Sequence, residues 1–223
     1  MQGNPQVVVL VPEGERISEG LKQSWKKHGF TVARFPFVKG RADNFVALLK
    51  CQAFGWVARN LSPEEIAAFV DADTCCLKRV ELPTATRGKV LRGSVAIAPD
   101  ICDRHFGNYQ NPWYLPAGER LTYVNTGVMF VSRQSLPFLR CISRLSHEAK
   151  AFIGDMQDQT VINFALGRSF PSGLVLLNQK FNRITGRSKD SVILHFAGGA
   201  GLLGQQDRNH DHRKACETVL MNT

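Results

Sequence analysis

Three consecutive segments at the N-terminus restrict the fold before any other feature is considered. Val7-Val8-Val9-Leu10-Val11 is a continuous, largely β-branched run. It is followed, after Pro12-Glu13-Gly14, by a helix-like stretch from about Ile17 to Lys27, and then by Phe30-Thr31-Val32-Ala33-Arg34-Phe35. Gly29 stands where a helix C-terminus favours glycine, and Pro36 halts the second run. Strand, helix and strand in this order form a βαβ unit, which calls for a parallel α/β sheet. The first run lacks polar alternation, so it is expected to be buried on both faces.

The remaining segments extend the same alternation. Asp43 to Arg59 reads as a helix with Asp43 as its cap, and Ser62-Pro63-Glu64-Glu65 matches a capping box with proline at the first helical position. Ala67-Ala68-Phe69-Val70 is a short apolar strand ending in Asp71-Ala72-Asp73, and Ser94 to Ala98 is another, stopped by Pro99-Asp100. Residues 101–120 read as a long loop containing Trp113 and Tyr114, whose rings either stack on a ligand or fold down as a plug. Tyr123 to Val131 is strand-like but interrupted at Asn125-Thr126-Gly127, where glycine permits a bulge. Helices over Ser135–Ser146 and Met156–Leu166 follow, with late strands at Leu174–Leu177 and Val192–Leu194 and a polar tail from about Gln205. No repeat or linker divides the chain, so residues 1–223 are expected to form one domain.

Charge and cysteine content narrow the function classes. With 28 Lys+Arg against 19 Asp+Glu the net charge is +9, which favours an anionic partner. The basic residues are scattered and not interleaved with aromatics, a poor match to a nucleic-acid-binding module. Six cysteines without a CxxC spacing give neither a zinc site nor a disulfide scaffold, and read as reduced thiols of a cytosolic protein. No apolar run nears the ~20 residues a membrane span needs, and the N-terminus does not resemble a signal peptide. A cytoplasmic or peripheral-membrane location is therefore expected. His210-Asp211-His212 in the tail is too local to form a metal site alone.

The chemistry concentrates at strand ends. In open α/β sheets ligands gather at the carboxyl ends of strands, and residues i and i+2 of an extended segment point the same way. Asp71 and Asp73 can therefore converge as two hard oxygen ligands, suited to Mn²⁺ or Mg²⁺; the alternative is a solvated turn. His195 ends the apolar run Val192-Ile193-Leu194 and precedes Phe196-Ala197-Gly198-Gly199-Ala200-Gly201. It is a third ligand if its strand lies beside Asp71, and otherwise a hydrogen-bonded structural histidine. Glycine amides in this stretch can approach phosphate oxygens. Asp158-Gln159 opens a late helix, where a carboxylate also complements the helix dipole.

In order along the chain, Leu49-Lys50, Phe69-Val70-Asp71-Ala72-Asp73-Thr74, Ala98-Pro99-Asp100, Tyr123-Val124-Asn125-Thr126-Gly127-Val128-Met129, Asp158-Gln159 with Asn163, Lys180-Phe181-Asn182 and Ile193-Leu194-His195-Phe196-Ala197-Gly198 form a series. The series resembles the GT-A glycosyltransferases of family 8, the group containing glycogenin and bacterial lipopolysaccharide galactosyl- and glucosyltransferases. The resemblance implies a GT-A (nucleotide-diphospho-sugar transferase) fold, α/β with a mostly parallel central sheet flanked by helices. It implies transfer of a hexosyl or pentosyl group, with retention of configuration, from a nucleotide-diphosphate donor. That donor is most often a UDP-sugar, and the acceptor is a glycan, glycolipid or glycoprotein. By the same resemblance Asp71, Asp73 and His195 hold Mn²⁺ (or Mg²⁺) against the donor diphosphate, and Lys50 lies near the donor. Asp100, Asn125 and Asp158 bond sugar hydroxyls, Gln159 sits near the anomeric carbon, and Thr126 and Gly198 belong to the substrate-binding segments.

Two departures stand out. The family continues from its HFxG segment to a Lys-Pro-Trp segment, whereas this chain continues Gly199-Ala200-Gly201-Leu202-Leu203. The diphosphate is then met by glycine amides or by Arg183, Arg187 or Arg208, or the donor is handled differently. Val11-Pro12-Glu13 replaces the family's Thr-Asn nucleotide contacts. The competing classes are a basic nucleic-acid-binding module and a metal-dependent sugar nucleotidyltransferase. The latter wants a glycine-rich phosphate loop after the first strand, where Pro12-Glu13-Gly14-Glu15-Arg16 offers one glycine and two acids.

Overall fold

A computed structural model describes residues 6–37, 45–71, 74–99, 123–148, 157–170, 172–184 and 189–195. Strand β1 (Val8–Pro12) pairs in parallel with β2 (Thr31–Phe35), from Val8 opposite Thr31 to Pro12 opposite Phe35, and helix α1 (Glu19–Lys27) connects them. Ser18 caps α1 by accepting from the Leu21 amide at 3.3 Å, Glu19 lies in the first turn and Lys26 and Lys27 in the last, and Gly29 leaves the helix at φ +71°. The βαβ opening is thus present. The expected two-sided burial of β1 is not: Val7 and Val8 are exposed and burial begins only at Val11. Among the described residues β1 pairs with β2 alone, so no neighbouring strand covers its start. Arg34 ties the loop after β1, donating to the carbonyls of Pro12 and Glu15 at 3.0 Å each.

A four-stranded sheet in the order β3-β6-β5-β7 forms the centre of the molecule. Its strands are β3 (Ile66–Val70), β6 (Val124–Ser132), β5 (Val95–Pro99) and β7 (Leu174–Leu176). β3, β5 and β7 point the same way, but β6 is antiparallel to both its neighbours, so the pairing is mixed where a mostly parallel sheet was expected. Every residue of β6 is buried, and its side chains alternate between two cores. Met129 and Val131, with Val95 and Ile97 of β5, pack against helices α2 (Phe45–Asn60), α4 (Leu136–Glu148) and α5 (Gln157–Ser169). Val128 and Phe130, with Ala96 and Ala98, pack on the other face against Val90 of α3 (Thr84–Leu91), Phe181 and Ile193. Helix α4 shows why it docks: Phe138, Leu139, Ile142 and Leu145 are buried at helical spacing, while Arg140 and Arg144 face water. Among the described residues no helix is long and apolar enough to cross a membrane.

Two elements went unread in the sequence. β4 (Thr74–Cys76) is only three residues long, and α3 buries a single side chain, Val90, so neither leaves a clear apolar period. The Ser62–Glu65 box closes a turn and starts no helix: the Glu65 carboxylate accepts from the Ser62 amide at 2.8 Å, and the Glu65 amide donates to the Ser62 carbonyl at 3.2 Å. The chain then enters β3, where β-sheet pairing with β6 outweighs the local helix signal.

Candidate active site

The site forms where β3 leaves the sheet. The Asp71 amide donates to the Gly127 carbonyl at 2.9 Å, continuing the β3–β6 ladder beyond Val70. The Thr74 hydroxyl and amide donate to the Asp71 carbonyl at 2.7 and 3.1 Å, which ties the end of β3 to Thr74. From Thr74 the chain runs as β4, antiparallel to β8 (Ile193–His195), with Thr74 directly opposite His195. This short ribbon carries the imidazole from the far end of the sequence to the Asp71 carboxylate, where His195 Nε2 stands 3.9 Å from Asp71 Oδ2.

Beneath the carboxylates lies one buried ammonium. Lys50, on α2, makes ion pairs of 2.9 Å with Asp71 and 2.7 Å with Asp158, approaches the Thr126 hydroxyl at 3.4 Å, and lies over the Phe69 ring. Lys50 is 9% exposed, whereas the Asp71 and Asp158 side chains are 30% and 25% exposed, so the acids reach solvent and the cation lies deeper. Burial alone lowers the lysine pKa, but Asp158 and Asp71 more than offset it and raise the ammonium above its usual 10.5. Burial raises the Asp71 carboxyl above its ordinary range; Lys50 pulls it down but does not offset the burial, and Asp158 adds repulsion. Two carboxylates against one ammonium leave an excess of negative charge that favours a cation.

The third component is the irregular part of β6. Ile97 faces Met129, but Pro99 faces Val124, so two steps on β5 match five on β6 and the extra residues bulge at Asn125-Thr126-Gly127. This is the interruption expected from the sequence. Asn163 of α5 pins the start of the bulge: its side chain accepts from the Val124 amide at 2.8 Å and donates to the Val124 carbonyl at 2.9 Å. Gln159 Oε1 accepts from the Thr126 amide at 3.1 Å, and the Thr126 hydroxyl lies 3.4 Å from Asp158. Asn125 Oδ1 accepts from the Gly127 amide at 3.0 Å and from Asn182 Nδ2 at 2.8 Å, and Asn182 Oδ1 meets His195 Nδ1 at 3.0 Å. Gly127 lies against the ring so closely that a Cβ there would stand 2.0 Å from His195 Cε1.

Lys50, Asp71, Asn125, Thr126, Asp158, Gln159 and His195 therefore come together, with Asn182, in one cluster of ion pairs and hydrogen bonds. Asp73, Asp100 and Gly198 lie outside the described residues, as do Asp43, the 101–120 loop, Arg187 and the tail from 205 with Arg208. Arg183 is described; its carbonyl accepts from the His195 amide at 2.9 Å, next to the site along the backbone. Sequence reasoning gave Asn182 no role and missed the contact between Gly127 and the imidazole. A glycine inside a strand does signal close approach of another group, but not which one.

Among the described residues no group of three or more His, Cys, Asp and Glu side chains could hold a metal ion. Asp71 and His195 present one carboxylate and one imidazole 3.9 Å apart, two donors of the types that divalent cations take.

No family model and no curated protein matches this sequence. The fold is shared with the apo structure of mouse xyloside xylosyltransferase 1, at a TM-score of 0.55 and 14% identity, with 89% of this chain and 86% of that one covered. A glycosyltransferase involved in the glycosylation of the major capsid of PBCV-1 also aligns, with a TM-score of 0.49, 14% identity, and 94% of this chain and 100% of that one covered. The α/β class with a central sheet flanked by helices is thus that of the xylosyltransferase structure.

Proposed function

We propose that this chain is a retaining, metal-dependent glycosyltransferase of the family 8 type. It would move a hexosyl or pentosyl group from a nucleotide-diphosphate donor, a UDP-sugar, to a glycan, glycolipid or glycoprotein. The observation that carries this reading is the meeting of Asp71 and His195 at a strand end, 3.9 Å apart, beside the paired Asp158 and Lys50. A fold shared with a protein named as a xylosyltransferase supports it by analogy.

Asp71, His195 and Asp73 would hold Mn²⁺ or Mg²⁺, and such an ion, when bound, acts as a Lewis acid on the negative charge that develops on a leaving diphosphate. The chain's own groups do the rest. Lys50 holds Asp71 and Asp158 at fixed separation, so both carboxylates are oriented before a donor arrives. Asp158, partly exposed beside Lys50, can stabilise the positive charge that builds on the anomeric centre as its bond to the diphosphate oxygen breaks and a bond to the acceptor oxygen forms. Gln159 Oε1 accepts from the Thr126 amide, which fixes the Gln159 side chain where the resemblance sets it near the anomeric carbon. Asn125 uses Oδ1 internally, accepting from the Gly127 amide and from Asn182, which holds its side chain in place beside the site.

Mass-spectrometric profiling against a panel of nucleotide sugars tests the reading. The expected result is turnover of a UDP-sugar with Mn²⁺, its loss in excess EDTA, and its loss in Asp73→Ala with the fold intact. Stabilisation by oligonucleotides but by no nucleoside diphosphate would contradict it.

A further inference from the structure

The hydrogen bonds behind His195 determine which ring nitrogen carries the proton. The Gly127 backbone N–H can only donate, so the Asn125 atom 3.0 Å away is the amide oxygen. The Asn182 atom 2.8 Å from that oxygen is then the amide nitrogen, which also reaches the Asn125 carbonyl at 3.2 Å. This turns the Asn182 oxygen toward His195 Nδ1 at 3.0 Å, and an oxygen there requires Nδ1–H. In the neutral ring the lone pair is left on Nε2, facing the Asp71 carboxylate at 3.9 Å, longer than a hydrogen bond.

We infer that Asn182, itself oriented by Asn125, is a positioning residue that holds His195 in its Nδ1–H tautomer with the Nε2 lone pair turned toward Asp71. All three side chains are at least 95% buried, with exposures of 1% for Asn182, 3% for Asn125 and 5% for His195, so water does not compete for these bonds. Gly127 completes the device, since only a residue without Cβ leaves room for the ring. The tautomer is a property of the metal-free chain; its use in ligating a cation rests on the function proposed above.

The test is long-range ¹H–¹⁵N correlation on the metal-free, ¹⁵N-histidine-labelled full chain at a pH where the ring is neutral. His195→Gln assigns the signal. The expected spectrum shows a pyrrole-type Nδ1 and an imine-type Nε2 for His195. Asn182→Asp, which still presents an oxygen to Nδ1, should keep that pattern, and Asn182→Ala should lose it. An Nε2–H pattern in the wild-type chain overturns the inference, as does an unchanged pattern in a folded Asn182→Ala. Should Asn182→Ala fail to fold, the wild-type spectrum still decides. A parallel Mn²⁺ titration followed by electron paramagnetic resonance separates the two claims. Asn182→Ala should bind about 10- to 100-fold more weakly than wild type. A wild-type chain that binds no Mn²⁺ yet shows Nδ1–H would defeat the metal reading and leave the tautomer assignment standing.

Discussion

The His195 ring is seated on the backbone of Gly127, with its Cε1 atom 2.0 Å from where a Cβ at residue 127 would project. An alanine there cannot be accommodated by a flexible neighbour, because His195 is held by its backbone in β8 and by Asn182 through Nδ1. Gly127→Ala should therefore cost about 1–3 kcal/mol as an overpacking substitution. It should also displace the imidazole and abolish transfer. Urea unfolding and a turnover assay check this; a variant as stable and active as wild type would contradict the contact.

Lys50 pairs with two acids, and its removal leaves them without their shared cation. Lys50→Met should lower stability by about 2–3 kcal/mol, the lower end for breaking a buried pair because both carboxylates retain some solvent. Adding Asp158→Asn should cost much less in the Lys50→Met background than in wild type, since the partners act as a unit. Additive losses in the double-mutant cycle would show that the 2.7 Å pair carries no coupling.

The same pair sets a pH limit. Below 10.5 the Lys50 ammonium is charged in both folded and unfolded chains, so its contribution is complete. As the pH climbs past 10.5 the unfolded chain releases its proton first while the folded chain retains it, and the contribution is lost by the time the raised folded pKa is passed. Chemical denaturation from neutral to strongly alkaline pH should show this decline, and Lys50→Met should lack its share of it.

Thiol accessibility offers an independent check on the packing. Cys51 and Cys75 are buried and Cys76 is exposed. Burial, followed by the Asp158 charge, pushes the Cys51 thiol far up, so it stays protonated and unreactive next to the site. Alkylation of the native protein should modify Cys76 well before Cys51 or Cys75, and denaturant should equalise them.

Those elements with strong periodicity were legible in the sequence: the βαβ opening, the amphipathic α4, and the strand ending at Asp71. So was the bulge at Asn125-Thr126-Gly127, because glycine within an apolar run is costly unless a kink or close approach uses it. Hidden features were those made by pairing distant segments. The antiparallel direction of β6 depends on its neighbours β3 and β5, and β4 exists only because β8 pairs with it. Asn182 looked like one residue of a short motif, since its partners Asn125 and His195 converge only in the folded chain. Likewise the exposed start of β1 could not be read from Val7-Val8, which are apolar whether or not a strand covers them.

Binding of Mn²⁺ in the presence of UDP, followed by electron paramagnetic resonance on wild type, Asp71→Asn and His195→Ala, addresses the central claim most directly. One ion per chain should bind in wild type, with affinity falling by at least about tenfold in each variant while circular dichroism stays native. Equal Mn²⁺ affinity in all three folded proteins would show that Asp71 and His195 do not share a cation.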